Sequence, residues 1–343
     1  MSWKRWALTI LSFAAAIGVS VYLVMDSWSD VGSMSALPLA GHLLAIAIMA
    51  IEVGARVLKL YYSGIALGIP FSIGASFRTN LGGDFGAGIT PSRSGSEPAR
   101  FLILSEARMR PTASILLLFT EMFIEMISML VIAITLALVF PDAGRIVGGV
   151  FIVAAAYSVF VIALGLAGFA LSRRASGPPP RLARAIGLNA GRWRRIQTGL
   201  RELHDRVSTV RTAKRSLLAW ASVLSVVHIL ARLAVLPALV MSYDRTVEVA
   251  PLLLWSLALM YGANAAPAPA GGGLIEIAFR SSLGGIIPAD YFASTLIWWR
   301  FYSFYALILL GAIVAGRTVM RALRGDVDDE RAASALEAGT SAP

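Results

Sequence analysis

Long apolar runs separated by short polar ones dominate this chain. After a first run at residues 6–25, uninterrupted runs recur near 37–58, 112–140, 146–171, 216–241 and 289–316. A helix needs roughly 20 residues to cross a hydrocarbon core, so the pattern predicts six membrane-spanning helices. Two more apolar stretches, about 65–108 and 249–287, are broken in the middle. Their centres read Gly82-Gly83-Asp84-Phe85-Gly86-Ala87-Gly88 and Pro267-Ala268-Pro269-Ala270-Gly271-Gly272-Gly273. Both centres are predicted to lose helical structure and to leave a short half-helix on either side. Such backbone is tolerated at membrane depth only inside protein or beside a wet cavity. In the polar segment before residue 216, Trp193, Ile196, Leu200, Leu203, Val207 and Val210 recur at three- and four-residue steps. Arg192, Arg194, Arg195, Arg201 and Arg206 occupy the other faces. This predicts a basic amphipathic helix at 192–211, either lying on an anionic leaflet or capping the cytoplasmic ends of the spans.

Composition agrees with a membrane protein. Apolar residues fill 57% of 343 positions and charged residues only 15%, too few charges to cover a soluble surface. The net charge of +10 sits in loops rather than over a globular face, which argues for membrane flanks and against nucleic acid. With no cysteine, thiol catalysis, disulfides and thiolate metal sites are excluded. His42, His204 and His228 are far apart in sequence, so no metal site and no cofactor is expected. Trp6 to Met25 is too long for a signal-peptide core and lacks a small-residue cleavage pattern. The acidic, small-residue tail at 321–343 is predicted to be disordered.

Loop charges orient the spans. The loop 172–215 carries 12 Arg/Lys against two acids, which makes it cytoplasmic. Lys4 and Arg5 before the first span, and Arg317, Arg321 and Arg324 after the last, place both termini in the cytoplasm. The linkers 26–36, 141–145 and 242–250 hold only Arg145 and Arg245 as basic residues and suit the outer face. Counting crossings then makes each broken stretch a re-entrant hairpin, one entering from the cytoplasm and one from outside. Span, hairpin and span at 37–140 are thus matched in inverted orientation at 216–316, a transporter architecture. Glu52 with Arg56 and His228 with Arg232 repeat the same four-residue spacing in the two halves. The predicted fold is an all-α polytopic membrane protein, residues 1–320, with about six full transmembrane helices plus two re-entrant helical hairpins.

Charges within apolar segments need a partner or a wet cavity. The candidates are Arg56, Glu97, Arg100, Glu121, Glu125, Arg232, Glu276 and Arg300. Arginines can grip a phosphate bidentately, while carboxylates balance them or hold a cationic headgroup. Alternatively, these charges form ion pairs that only lock helices together. The half-helix after each break offers free amide groups to an anion, with Ser92 and Ser94 beside Arg93. Asp84-Phe85-Gly86 copies a kinase magnesium motif without its companion residues, and no Walker A sequence is present.

Four motifs together resemble one family. Thr90-Pro91 with Gly95-Ser96-Glu97-Pro98-Ala99-Arg100 is similar to its proline and G-E-x-x-R motif, with one residue inserted between Gly and Glu. Glu121 and Glu125 resemble its E-R-x-x-D helix motif, with Met122 for arginine and glutamate for aspartate. Pro267 to Glu276 looks like its P-x-P-G-G-x-G-x-x-E signature, loosened at Ala270 and Gly273, and Arg300 through Gly311 is similar to its final span. The family is the lysylphosphatidylglycerol synthase transmembrane region, and the likeness covers about residues 5–320. The resemblance implies a lipid flippase domain with site positions Glu97, Arg100, Glu121, Glu125, Glu276 and Arg300. The synthase domain fused to some members is not expected after residue 316, so transport rather than synthesis is implied.

The expected function is movement of a charged phospho- or aminoacyl-lipid headgroup between leaflets of a bacterial inner membrane. The polar path would run between two hairpins shaped by Pro91, Gly95, Pro267, Pro269, Gly271, Gly272 and Gly273. Expected partners are the lipid itself, an anionic leaflet through 192–211, and a second copy or a lipid-synthesis enzyme. The alternatives are an intramembrane enzyme acting on a lipid-phosphate headgroup and a scaffold for a lipid-synthesis complex.

Overall fold

The computed structural model describes residues 36–90, 92–141, 144–173, 213–262 and 273–318. The first apolar run at 6–25, the amphipathic segment at 192–211, the tail at 321–343, and Pro91, Pro267, Pro269, Gly271 and Gly272 lie outside the described residues. The described residues are helices and connecting turns, with no strand among them. In chain order the helices are α1 (Leu39–Ala66), α2 (Ile73–Gly88), α3 (Ser96–Glu106), α4 (Pro111–Val139), α5 (Gly144–Arg173), α6 (Arg215–Tyr243), α7 (Val249–Gly262), α8 (Leu274–Leu283) and α9 (Ala289–Arg300). After Arg300 the last helix passes through a π turn, Phe301–Tyr305, and continues to Thr318. Three of these helices, Pro111–Val139, Arg215–Tyr243 and Ala289–Thr318, are long and apolar enough to cross a membrane.

Local chemistry sets the helix ends. α1 closes on Gly68 at φ 67°, with Ile69 N–H donating to Gly64 O at 2.8 Å and Gly68 N–H to Ile65 O at 3.1 Å. That pair of bonds is a Schellman cap, and Pro70 then prevents the helix from resuming. Ser72 starts α2 by accepting Ala75 N–H on its hydroxyl at 3.1 Å. Pro111 opens α4 at a position where its missing N–H costs no bond. Pro237 lies inside α6 and removes the bond that would reach back to Leu233.

The glycine-rich centre of the first broken stretch corrects the expectation drawn from it. Gly82 to Gly88 remain helical, and the chain leaves the helix only after Gly88. Glycine lowers helix propensity by about 1 kcal/mol per residue, but here close packing offsets that loss. A Cβ on Gly82 would strike Ile103 and Ala315, one on Gly83 would strike Arg100, and one on Gly86 would strike the Gly95 carbonyl and Ala99. These pairings run in opposite directions along α2 and α3, so the two form an antiparallel helical hairpin. Its outer face meets the last helix through small residues too: Gly88 against Ile308, and Gly311 against Leu81 and Phe85. Small residues allow this approach between helices in a membrane. At the tip, Thr90 Oγ1 donates to Gly86 O at 2.8 Å and accepts Gly95 N–H at 2.7 Å. Ser92 and Arg93 complete the turn at φ 52° and 54°, a region that is costly for residues with a Cβ.

The chain forms two compact units. One takes its described residues from Met1–Met49, Phe77–Glu106 and Ala234–Pro343, and the other from Ala50–Ser76 and Ala107–Leu233. In the first, Leu252, Phe279, Phe292, Leu296 and Trp299 centre an apolar core. In the second, α4 packs along α5. The usual soluble arrangement is inverted there. Phe123, Ile127, Val131, Ile134 and Leu138 face outward along α4, while Glu121 on the same helix is 2% exposed. Apolar residues outside and carboxylates inside suit lipid as the surrounding solvent.

Candidate functional site

The second unit holds a network of buried charges drawn from three helices. Glu52, Arg56 and Lys59 share one face of α1, Glu121 and Glu125 one face of α4, and His228 and Arg232 one face of α6, each set at helical three- or four-residue spacing. Lys59 is wholly buried, with Nζ 3.0 Å from Glu121 Oε1 and 3.2 Å from Glu125 Oε2. Glu52 Oε1 stands 3.0 Å from Arg56 Nε and 3.9 Å from Arg232 Nε. Three carboxylates thus face three cations in this network. His228 is buried on α6, and its Nδ1 has no hydrogen-bond partner among the described residues. The four-residue pairs that hinted at a repeat in the sequence therefore meet in space, through Glu52 and Arg232.

The first unit holds a second centre, built around the π turn. Arg300 Nε lies 2.9 Å from Glu276 Oε1, and both side chains are 3% exposed. Glu276 sits in the first turn of α8, which begins directly after Gly273, and the φ of 80° at Gly273 suits a residue without Cβ. A carboxylate in a first turn is favoured by the helix dipole. The π turn places two aromatic rings under the Arg300 guanidinium: its Cζ is 4.5 Å from the Phe304 centroid and 5.1 Å from that of Tyr305. Arg300 Nη2 also donates to Tyr305 Oη at 3.3 Å. Arg93, at the tip of the α2–α3 hairpin, brings its Cζ within 5.7 Å of the same Phe304 ring. The hairpin tip, α8 and the last helix therefore converge on one cation–aromatic cluster.

Glu97 and Arg100 form a third pair, 3.1 Å apart on α3. Its arginine is largely buried and its carboxylate side chain 41% exposed. Asp84 is buried on α2. At the base of the hairpin, Arg78 Nη2 donates to Glu106 Oε2 at 2.7 Å and to Thr318 Oγ1 at 3.1 Å.

All eight sequence-predicted charges are thus engaged in ion pairs, in sets held within single units. Arg56, Arg232, Glu121 and Glu125 belong to one network; Glu276 with Arg300 and Glu97 with Arg100 belong to the other unit. Gly95 lies in the turn before α3, and Gly273 stands immediately before α8. Sequence reasoning missed Lys59, the cation that holds both α4 glutamates. It used Glu52 only as a repeat marker and overlooked the π turn. The signal for Lys59 was its seven-residue spacing from Glu52, which continues the buried face of α1.

Ion pairs sealed inside helices whose outer faces are apolar define the chain as a helical membrane protein. Residues 8–311 match the family model of the lysylphosphatidylglycerol synthase TM region, and the chain belongs to that family. No curated protein matches it.

Proposed function

We propose that the chain is a lipid flippase, carrying a charged headgroup between leaflets while the acyl tails stay in the bilayer. The observation that supports this most is the Glu276–Arg300 pair, buried where a hairpin tip, a short helix and an aromatic-lined π turn converge. A pair meant only to join helices has no need of a second arginine on the same ring or of a helix start aimed at it. In this reading α2–α3 and α7–α8 are the two re-entrant hairpins of an inverted repeat, opening toward opposite faces of the inner membrane. Both termini lie in the cytoplasm, and the basic segment at 192–211 rests on the anionic leaflet. The chain moves lipid rather than modifying it, uses no cofactor, and runs downhill or coupled to an ion.

The test is translocation of headgroup-labelled phospholipids in proteoliposomes. Glu276→Gln and Arg300→Ala are expected to abolish it while the protein remains monodisperse. Normal flipping by both variants sinks the site. Loss of lipid-dependent function on substituting Arg192, Arg194 and Arg195, with Glu276 variants unaffected, would point to a scaffold instead. Chemical turnover of the labelled lipid would point to an enzyme.

A further inference from the structure

The Glu276–Arg300 pair restricts what can enter the site. Both side chains are buried, and Glu276 Oε2 is buried without a hydrogen-bond partner among the described residues. In a medium of low dielectric, a charge that loses its partner must gain another at once. An anionic headgroup inserted here satisfies Arg300 and leaves Glu276 as a lone buried carboxylate. A cationic headgroup without phosphate does the reverse. A headgroup bearing one phosphate and one protonated amine replaces both partners together, so the buried charge balance is the same with and without lipid.

We infer that this site selects a zwitterionic phospholipid headgroup, with phosphate on the Arg300 fork and amine on Glu276. The inference rests on the flippase reading of the same centre and adds the substrate class. The surroundings agree with the division of roles. Phe304 and Tyr305 lie against the guanidinium, and its planar shape suits two phosphate oxygens at once. Glu276 offers an oxygen that no donor among the described residues has taken. Arg93 is half-buried on the hairpin turn and Arg280 at the far end of α8 is exposed, so neither is part of the buried pair itself.

The experiment reconstitutes the full chain in nanodiscs containing equal amounts of phosphatidylethanolamine, phosphatidylglycerol and a cationic lipid without phosphate. Lipid retained after mild detergent release is counted by native mass spectrometry. Phosphatidylethanolamine should be retained over either competitor by about ten-fold. Glu276→Gln leaves an uncompensated guanidinium, so preference should pass to phosphatidylglycerol. Arg300→Gln should pass it to the cationic lipid. Retention by the unaltered protein in no preferred order, or in favour of a singly charged headgroup, overturns the inference without needing either variant to fold. Flipping and retention fail separately. Selective retention with no labelled lipid crossing the bilayer overturns the flippase reading and upholds the recognition chemistry. Rapid flipping without selectivity does the opposite.

Discussion

Lys59 Nζ lies 3.0 Å from Glu121 Oε1, between two helices distant in sequence, and neither side chain is more than 3% exposed. Burying two charges is costly, and removing one leaves the other uncompensated. Lys59→Met is therefore expected to destabilise the protein by about 3–5 kcal/mol. Lys59→Met with Glu121→Met should lose less than the sum of the single changes, because only Glu125, the more exposed of the two glutamates, is then left without the lysine. Thermal melts in detergent, followed by size-exclusion chromatography, supply all three values. Simple additivity would show that the two residues act independently.

Arg300 contributes shape as well as charge. Arg300→Lys keeps the cation but loses the planar group that spans Glu276, Phe304 and Tyr305. Lipid translocation should fall by at least about ten-fold, or ~1.4 kcal/mol in the barrier, with little change in expression. Flipping assays on matched protein amounts decide it.

Two glycines with the same secondary structure should respond oppositely to alanine. A Cβ on Gly86 meets the Gly95 carbonyl, so Gly86→Ala is expected to cost about 1–3 kcal/mol through overpacking. Gly54, inside α1, has open space where a Cβ would stand, with nothing within 4 Å of that point. Gly54→Ala should stabilise by up to about 1 kcal/mol. Melting temperatures of the two variants should move in opposite directions.

Thr90→Val removes both hydrogen bonds that tie the hairpin turn together. The loss should be about 1–3 kcal/mol, two bonds at roughly 0.5–1.5 kcal/mol each. Hydrogen exchange should show faster exchange at Gly95 and in the first turn of α3, with α4 unchanged.

Arg78 and Glu106 provide a contrast with the buried pairs. Their side chains are 40% and 43% exposed, and an exposed pair is worth at most about 1 kcal/mol. Arg78→Ala should leave thermal stability nearly unchanged at high salt. A loss as large as that of Lys59→Met would mean the clasp on Thr318 holds the hairpin in place.

The apolar runs announced the long helices closely: the stretches near 112–140, 216–241 and 289–316 became α4, α6 and the last helix. They were poorer guides to ends. The first described helix continues past residue 58 to Ala66 because Lys59 is neutralised inside the protein, so a charge did not mark its exit from the helix. Its true stop lay in Gly68-Ile69-Pro70, a cap that depends on backbone conformation rather than hydropathy. The glycines at 82, 83, 86 and 88 misled in the other direction. Local propensity read them as a break, whereas contacts with Ile103, Gly95 and Ile308, distant in sequence or across a turn, keep them helical. The charged candidates were legible one by one as misfits in apolar surroundings. Their pairing was not, since it depends on how helices turn their faces toward each other.

The π turn after Arg300 amounts to one residue more than an α-helix would accommodate. Each helical residue turns the chain by about 100°, so that single extra residue sets which side chains lie beneath the guanidinium and which turn away. Removing one residue between Phe301 and Tyr305 would leave the composition of the last helix almost unaltered. It would also rotate everything beyond it, including Gly311, off the surface that receives Leu81. The hairpin and the arginine are thereby geared to the same count of residues, and a length change of one would disengage both.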